Sequence, residues 1–371
     1  MNEIRTVVTG LRGMPGVMGG VETHCEQLMP RLAARGVDVT VACRKGYGSG
    51  LENWRGVRLL ILATPKNKSL EAIVHTVRTV WRAKRMGADL LHVHAVGPAL
   101  AVPLAKALGL KVVFTHHGFD YDRAKWGRGA KAALRLGEWF AGKFADGVIV
   151  ISRDIERVMR ERHGRKDCHV IPNGVPKPQR LAPEREAELL AEMGLSAGKY
   201  FFAACRFVPE KNLHHLVEAY EKAGCAETKL VLAGDADFED DYSLGLKRRA
   251  RRAGAVLPGF TRGERLLALW SGAKAFFLPS SHEGLPLALL EAMSYGVPAW
   301  VSDIAANREV PLPDDRYFAV GDVDFLARTL RELDAAPLVR ETYDVARYDW
   351  DRIADETLAV YRAVAGTPQA D

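Results

Sequence analysis

Cysteine is scarce and scattered. The five residues Cys25, Cys43, Cys168, Cys205 and Cys225 are odd in number and show no C-x-x-C spacing, so neither a disulfide framework nor a zinc site is expected, and reduced thiols in a cytoplasm fit best. Long apolar runs are absent too: the richest, AVGPALAVPLA (Ala95 to Ala105), is too short to span a bilayer and carries two prolines. The start, MNEIRTVVTG, leads directly into a strand-like run without a charged n-region or an apolar h-region, so no secretory signal is expected. There is no low-complexity tract and no alignable internal repeat.

What is present describes a soluble globular protein. The 371 residues, 48% hydrophobic and 26% charged, suffice for two domains with substantial cores. The net charge of +6 is unevenly spread. Residues 1 to 175 hold 28 Lys and Arg against 15 Asp and Glu, a net +13, whereas residues 176 to 371 hold 24 against 31, a net −7. A basic first half points to an anionic surface or substrate, such as a membrane leaflet or a pyrophosphate.

Residues 4 to 171 alternate strand-like and helix-like segments: IRTVVTG, a helix from about Val21 to Ala34, VDVTVACR, VRLLILAT, a helix around Leu70 to Arg85, DLLHVHA, KVVFTHH, GVIVIS and CHVIP. This alternation predicts a parallel sheet with helices on both faces. Pro30 is expected to kink or end the first half of its helix. IPNGVPKP (Ile171 to Pro178) breaks both periods and reads as a linker. The alternation then resumes with YFFAACRF, TKLVLAGD, AVLPGF, AKAFFLPS and PAWVSD, separated by helices near Leu213 to Ala223, Leu244 to Ala253, Arg262 to Ser271 and after Pro286. Near the end, DWDRIADETLAVYRAV (Asp349 to Val364) is an amphipathic helix offering Trp350, Ile353, Leu358 and Tyr361 for packing. The fold expected is α/β, two doubly wound Rossmann-like domains facing a cleft. In such sheets ligands bind beyond the carboxyl ends of the strands.

The chemistry-bearing residues follow strands. In SSHEGLPLALLEAM (Ser280 to Met293), Glu283 lies in a loop and Glu291 on the second turn of the following helix, so both carboxylates can face one ligand. The amides of Gly284 and Leu285 point to the same helix N-terminus, which suits a polar or anionic oxygen. In ACRFVPEKN (Ala204 to Asn212), Arg206 and Lys211 can converge on a pyrophosphate across the turn at Pro209, or Lys211 can simply pair with Glu210 on a solvated turn. TGLRGMPGVMGGVETH (Thr9 to His24) is a glycine-rich loop at a helix start, where Gly19 and Gly20 permit close approach of a phosphate. It lacks G-x-G-x-x-G spacing, which makes a dinucleotide site a weak reading. VFTHHGFDYDRAKWG (Val113 to Gly127) supplies His116, His117, Asp120, Arg123 and Lys125 beside Tyr121 and Trp126. Adjacent histidines in a strand point to opposite faces, so at most one of the two serves a reaction. The basic amphipathic helix Gly127 to Phe144, with Leu134, Leu136, Trp139 and Phe140, suits either an anionic membrane surface or packing on its own sheet. Asp235 and Asp237 form a D-x-D that reads better as a solvated acidic loop than as a metal site.

Taken together these residues resemble glycosyltransferase family 4, retaining enzymes of the GT-B fold, over essentially the whole chain. HHGFDYDRAKWG is similar to a subgroup of bacterial surface-polysaccharide enzymes that includes rhamnosyltransferases. The resemblance implies an acceptor-binding domain over residues 1 to 175 and a donor-binding domain over 176 to 349, with the helix at 350 to 364 crossing back to the first. It implies that Glu291 holds the donor ribose, that Glu283 holds the sugar hydroxyls, and that Arg206 and Lys211 neutralise the departing diphosphate. Gly19 and Gly20 would lie beneath that diphosphate, Pro258, Gly259 and Phe260 beside the nucleobase, and Gly284, Leu285 and Leu287 at the donor. His117 would sit at the sugar, with His116 not excluded, and His116, Asp120, Arg123 and Lys125 would line the acceptor side. No metal and no cofactor is implied, a nucleotide-diphosphate sugar being the donor substrate. The acceptor expected is a saccharide on a lipid diphosphate, reached by peripheral contact with the inner face of an anionic membrane; nucleic acid is not expected. Uridine, guanosine and thymidine donors all stay open. The competing readings are a GT-B nucleotide-sugar epimerase and a catalytically inactive membrane-binding module.

Overall fold

The computed structural model describes residues 4–48, 50–65, 68–122, 126–236 and 239–366. By internal contacts the chain divides into unit 1, formed by Met1–Gly174 and Arg347–Asp371, and unit 2, formed by Val175–Ala346. The boundary falls inside IPNGVPKP.

In chain order, unit 1 contains β1 (Arg5–Thr9), α1 (Gly20–Ala34), β2 (Asp38–Arg44), β3 (Asn53–Trp54), β4 (Val57–Leu62), α2 (Lys68–Arg85), β5 (Leu90–His94), α3 (Val102–Ala107), β6 (Lys111–His116), α4 (Arg128–Phe144), β7 (Gly147–Val150), α5 (Arg153–His163) and β8 (Cys168–Val170). Its sheet runs β3-β4-β2-β1-β5-β6-β7-β8, parallel throughout except for the β3–β4 pair. That short antiparallel pair and helix α5 are absent from the alternation read in the sequence. The central strands RTVVT, LLHVH and GVIV are buried almost throughout because helices cover both faces, which is why they read as continuous apolar runs and not as alternating ones. Helix α1 continues through Pro30 as one element.

Unit 2 contains α6 (Pro183–Glu192), β9 (Tyr200–Ala204), α7 (Leu213–Ala223), β10 (Lys229–Ala233), α8 (Asp241–Arg252), β11 (Val256–Gly259), α9 (Gly263–Gly272), β12 (Ala275–Leu278), α10 (Leu287–Ser294), β13 (Ala299–Ser302), α11 (Ala305–Arg308), β14 (Tyr317–Phe318) and α12 (Val323–Ala335). Its sheet is fully parallel in the order β11-β10-β9-β12-β13-β14. One face carries a core of Phe201, Phe277, Leu230 and Leu232 packed against Leu216 and Val217 of α7, Leu246 of α8, and Leu326 and Leu330 of α12.

The last helix, α13 (Trp350–Ala365), belongs to unit 1, where it packs against α1 and the strands β5, β6 and β7. Asp349 caps it by accepting from the amides of Asp351 and Arg352. Trp350, Ile353, Leu358 and Tyr361 are buried. The Trp350 ring lies so close to Gly174 that a Cβ there would come within 2.5 Å of it.

Sheet order sets where loops can meet. In unit 1 the order reverses between β1 and β5, and in unit 2 between β9 and β12, so at each place two neighbouring strands send their following chain to opposite faces. Gly10 makes the first reversal tight: with φ of 111°, its missing Cβ would lie 2.1 Å from the carbonyl oxygen of His94. Replacing Gly10→Ala therefore combines backbone strain with a main-chain clash. We expect a loss of at least ~1–3 kcal/mol in urea unfolding. An unchanged midpoint would contradict the packing described.

Candidate functional site

The reversal in unit 2 brings together the loops that follow β9 and β12. After β9, Pro209–Lys211 form a single 3-10 turn, and Asn212 takes a left-handed conformation, with φ of 50°. From there its Nδ2 donates to the carbonyl of Pro279 at 3.1 Å. The amide of Ser281 donates to the carbonyl of Glu210 at 2.9 Å, and the Ser281 hydroxyl does the same at 3.3 Å. With the two loops joined in this way, Nζ of Lys211 lies 2.5 Å from Oε1 of Glu283, in a pair whose side chains are only 14% and 10% exposed. Lys211 thus pairs across the loops and not with its neighbour Glu210.

Arg206 is half-buried in the same place. Burial pushes the Cys205 thiol up to about 12, while Lys211 and Arg206 pull it down and Glu283 pushes it up, so three charges act on one buried atom. A half-buried cluster of two cations and a carboxylate is poised for an anionic group, because charge-assisted hydrogen bonds strengthen where water is excluded.

Glu291 is the fifth residue of α10, and burial raises its carboxyl to about 7. Gly284 and Leu285 precede that helix, Leu285 buried, and Leu287 opens it half-buried. Pro258 and Gly259 end β11, and the amide of Gly234 reaches the Gly259 carbonyl at 2.8 Å. Phe260 is 47% exposed with the Arg262 guanidinium 5.7 Å from its ring centre. Asp235 of the D-x-D is engaged by Lys247 at 2.6 Å, whereas Asp237 lies outside the described residues.

In unit 1 the glycine-rich loop is organised by acids the sequence left unassigned. Glu22 accepts from Nε of Arg12 at 3.0 Å and from its amide at 3.1 Å, and the Arg12 guanidinium also donates to the carbonyl of Met18. Glu26 accepts from the Gly16 amide at 2.8 Å. Gly19, with φ of 151°, would drive a Cβ to 2.0 Å from the Glu22 carboxylate, while a Cβ on Gly20 would meet open space. The loop is therefore held shut around Arg12 and Glu22 and leaves room in front of Gly20.

The adjacent histidines separate as the strand geometry requires. His116 is fully buried, with Nε2 at 2.8 Å from Oε1 of Glu138. The other oxygen of Glu138 lies 2.9 Å from Nε2 of His163, and the Tyr121 hydroxyl donates to Oε1 at 3.1 Å. Burial alone would raise the Glu138 carboxyl, but the bonds to His116 and His163 outweigh it and hold it down to about 2. His116 is thus committed to a network tying β6, α4 and α5. His117 faces the other way: its Nε2 lies 2.8 Å from Nδ1 of His94, and the ring of His24 is 4.8 Å away, centre to centre. His94 packs on His92, which is held by the Tyr361 hydroxyl and by Oγ1 of Thr115, both at 2.7 Å. His24 places Nδ1 at 3.0 Å from Oδ1 of Asn173. Burial holds His24 down to about 4 and His94 and His117 well below the usual histidine range, with the neighbouring rings adding to the effect on His94 and His117. His24, His92 and His94 were not singled out from the sequence; the signal was LLHVH, whose two-residue spacing puts His92 and His94 on one face of β5. Asp120 is half-buried, its amide donating to the Gly118 carbonyl at 3.0 Å, and Arg123 and Lys125 lie outside the described residues.

Comparison with known proteins gives two family matches that together take in most of the chain: Glycosyltransferase Family 4 over residues 18–177, and Glycosyl transferases group 1 over residues 193–343. The chain is similar to the UDP-Gal:alpha-D-GlcNAc-diphosphoundecaprenol alpha-1,3-galactosyltransferase of Escherichia coli, at 30% identity over 236 residues, covering 59% of this chain and 59% of that protein's length. It is also similar to the GDP-mannose:cellobiosyl-diphosphopolyprenol alpha-mannosyltransferase of Xanthomonas campestris, at 28% identity over 304 residues and 76% of each chain. Among solved structures, a sucrose-phosphate synthase from Thermosynechococcus elongatus superposes with a TM-score of 0.82 at 21% identity, covering 99% of this chain and 100% of that one.

The Glu291 carboxyl gives a pH signature. With the folded value raised to about 7, its contribution to stability is complete below the ordinary carboxylate value of 4.5 and is lost as pH rises through 7. Glu291→Gln should therefore gain stability relative to the unmodified protein as pH goes from 4.5 to 8, read as the difference between their urea midpoints. A difference that stays flat across this interval would show that Glu291 is not buried as described.

Proposed function

Because the chain belongs to the family 4 glycosyltransferases of the GT-B fold, we propose that it transfers a sugar, with retention of anomeric configuration, from a nucleotide-diphosphate sugar to a saccharide carried on a lipid diphosphate, in the assembly of a bacterial surface polysaccharide. The observation that carries this reading is the half-buried Lys211–Glu283 pair with Arg206 beside it, at the strand reversal of unit 2. Cleavage of the sugar–diphosphate bond leaves positive charge on the ring and adds negative charge to the phosphate. Arg206 and Lys211 meet that developing negative charge already fixed in place, which is where preorganised cations act on rate. Glu283 orients the sugar hydroxyls and Glu291 the ribose, neither serving as a nucleophile. The acceptor attacks on the face the diphosphate leaves, and the leaving group takes the acceptor proton.

Unit 2 is the donor-binding unit in this reading and unit 1 the acceptor-binding unit. His117 serves the sugar, Gly19 and Gly20 the diphosphate, and Pro258, Gly259, Phe260, Gly284, Leu285 and Leu287 the donor. Asp120, Arg123 and Lys125 serve the acceptor, whereas His116 holds the fold through Glu138. The lipid-diphosphate acceptor draws support from the Escherichia coli and Xanthomonas campestris relatives, whose names specify diphosphoundecaprenol and diphosphopolyprenol acceptors. Those two use different bases, UDP and GDP, so the donor base is left to experiment. The epimerase and inactive-module readings are not favoured, since the relatives are transferases. The reaction requires neither cofactor nor metal: the two cations supply the charge neutralisation that a bound metal ion would otherwise provide.

Incubation with uridine, guanosine and thymidine diphosphate sugars in the presence of EDTA and a polyprenol-diphosphate saccharide should release nucleoside diphosphate from one of them. Arg206→Ala should lower kcat by about 10²–10³-fold. Failure to release diphosphate from every donor, or full turnover by the variant, would refute the assignment.

Peripheral contact with an anionic membrane is supported by α4. Its buried face is made of the small residues Gly137, Ala141 and Gly142 with Glu138, so its bulky residues Leu136, Trp139 and Phe144 are left 45%, 40% and 41% exposed. Arg128, Lys131, Arg135 and Lys143 share the helix. Apolar side chains flanked by cations suit the boundary between headgroups and acyl chains. No helix among the described residues is long and apolar enough to cross a membrane. Sedimentation with phosphatidylglycerol vesicles should fall sharply for Trp139→Glu with Phe144→Glu and on raising the salt concentration. Equal sedimentation with neutral phosphatidylcholine vesicles would rule out the electrostatic part.

A further inference from the structure

We propose that His24, His94 and His117 form a binding site for one divalent transition-metal ion, with zinc the representative ligand. One ring nitrogen from each of the three lies within 4.8 Å of the others. They come from three separate elements at the strand reversal of unit 1: His24 from α1, His94 from the end of β5, and His117 just beyond β6. Three converging imidazoles are a donor set that zinc, cobalt(II) and nickel(II) accept, and imidazole suits these ions better than magnesium or calcium.

Two details distinguish the cluster from a set of satisfied core histidines. Nε2 of His24 is buried without a hydrogen-bond partner, although unmade bonds at buried polar atoms are disfavoured, and an ion held by that nitrogen would satisfy it. His24 is also oriented as metal-bound histidines are: Nδ1 meets the side-chain carbonyl of Asn173, which fixes the proton on Nδ1 and leaves the lone pair of Nε2 free to ligate. Nδ1 of His94 and Nε2 of His117 already lie 2.8 Å apart around a shared proton. An ion with nitrogen ligands at roughly 2.0–2.1 Å enters between them after a small separation of the two rings, and the shared proton moves by exchange with water to the outer nitrogen of the ring that held it. Each ring then keeps one N–H: His24 on Nδ1, His94 on Nε2 and His117 on Nδ1. The rings stay neutral, so no proton need leave the site. His92 is not a ligand, because the Tyr361 hydroxyl and Thr115 already occupy both of its nitrogens.

Binding at this site withdraws His117 from any other ligand, so zinc should compete with the donor. That corollary rests on the proposed role of His117 at the sugar, whereas binding itself does not.

The test uses the full chain, free of any histidine tag and without nucleotide sugar. Titration with zinc chloride against a chromophoric chelator should give one tight equivalent. His24→Leu and His117→Leu should each weaken it by roughly tenfold or more, and His282→Ala, on an exposed loop, should leave it unchanged. Thermal unfolding of each metal-free variant establishes that it is folded. Should a variant not fold, X-ray absorption at the zinc edge of the unmodified protein decides instead: three imidazole nitrogens at about 2.0 Å sustain the site. Fewer than three imidazoles, no tight equivalent, or affinity untouched in both leucine variants would overturn it.

Discussion

Both units depend on one constraint of chirality. A crossover between parallel strands is right-handed, so a sheet that grows outward on both sides of a starting strand must wind its helices onto opposite faces and leave one pair of neighbouring strands whose exits are not bridged. In unit 1 that pair is β1 and β5, and in unit 2 it is β9 and β12. Two groups of residues with unusual electrostatics lie at these two places: the histidines around His94, and the charges around Cys205. The glycine-rich loop follows β1, and the Arg206 turn follows β9, so in each unit the first strand leads directly to the reversal.

The charges in unit 2 are kept ready by mutual restraint. Lys211 and Glu283 are each held by the other, and the main-chain bonds from Ser281 and Asn212 fix the loops on which they ride. In the proposed reaction an arriving anion would find Lys211 ordered and, in drawing it away, would free Glu283 for a hydroxyl. Glu291 complements this arrangement: it is half-buried and desolvation holds its carboxyl up to about 7, so a ligand that donates hydroxyl hydrogens would favour its ionised form.

Much of this could be read along the chain, because strand periodicity and turn residues are local. The buried apolar runs, the glycine-rich loop, the Pro209 turn and the position of Glu291 on the second turn of α10 all follow from neighbours in sequence. The opposite facing of His116 and His117 follows from strand geometry, although which of them was locked could not be known without Glu138, 22 residues on. The partners left unread are distant ones. Lys211 finds Glu283 across 72 residues, and His24 finds Asn173 across 149. Neither pairing leaves a periodic trace. The exposed face of α4 was ambiguous for a different reason: hydrophobic spacing marks an apolar stripe but does not say that Gly137, Ala141 and Gly142 are the side that packs. The answer lies in how closely α4 approaches the chain that follows β5, since a Cβ at Gly137 would lie 2.1 Å from the Val96 carbonyl.

Unit 1 is discontinuous, and α13, which completes it, comes after all of unit 2 in sequence. Tyr361 secures His92, and Trp350 covers Gly174 and meets the ring of His24, so the histidine cluster lacks its outer wall until residue 365 is in place. On the ribosome domains usually fold as they emerge, the first-made first. Here the order is inverted. Unit 2 is complete in sequence before unit 1 can close, and the first-synthesised half must wait, partly open and strongly basic, until α13 has emerged. A nascent chain stalled near residue 345 would carry every strand of both sheets and still lack a finished first unit.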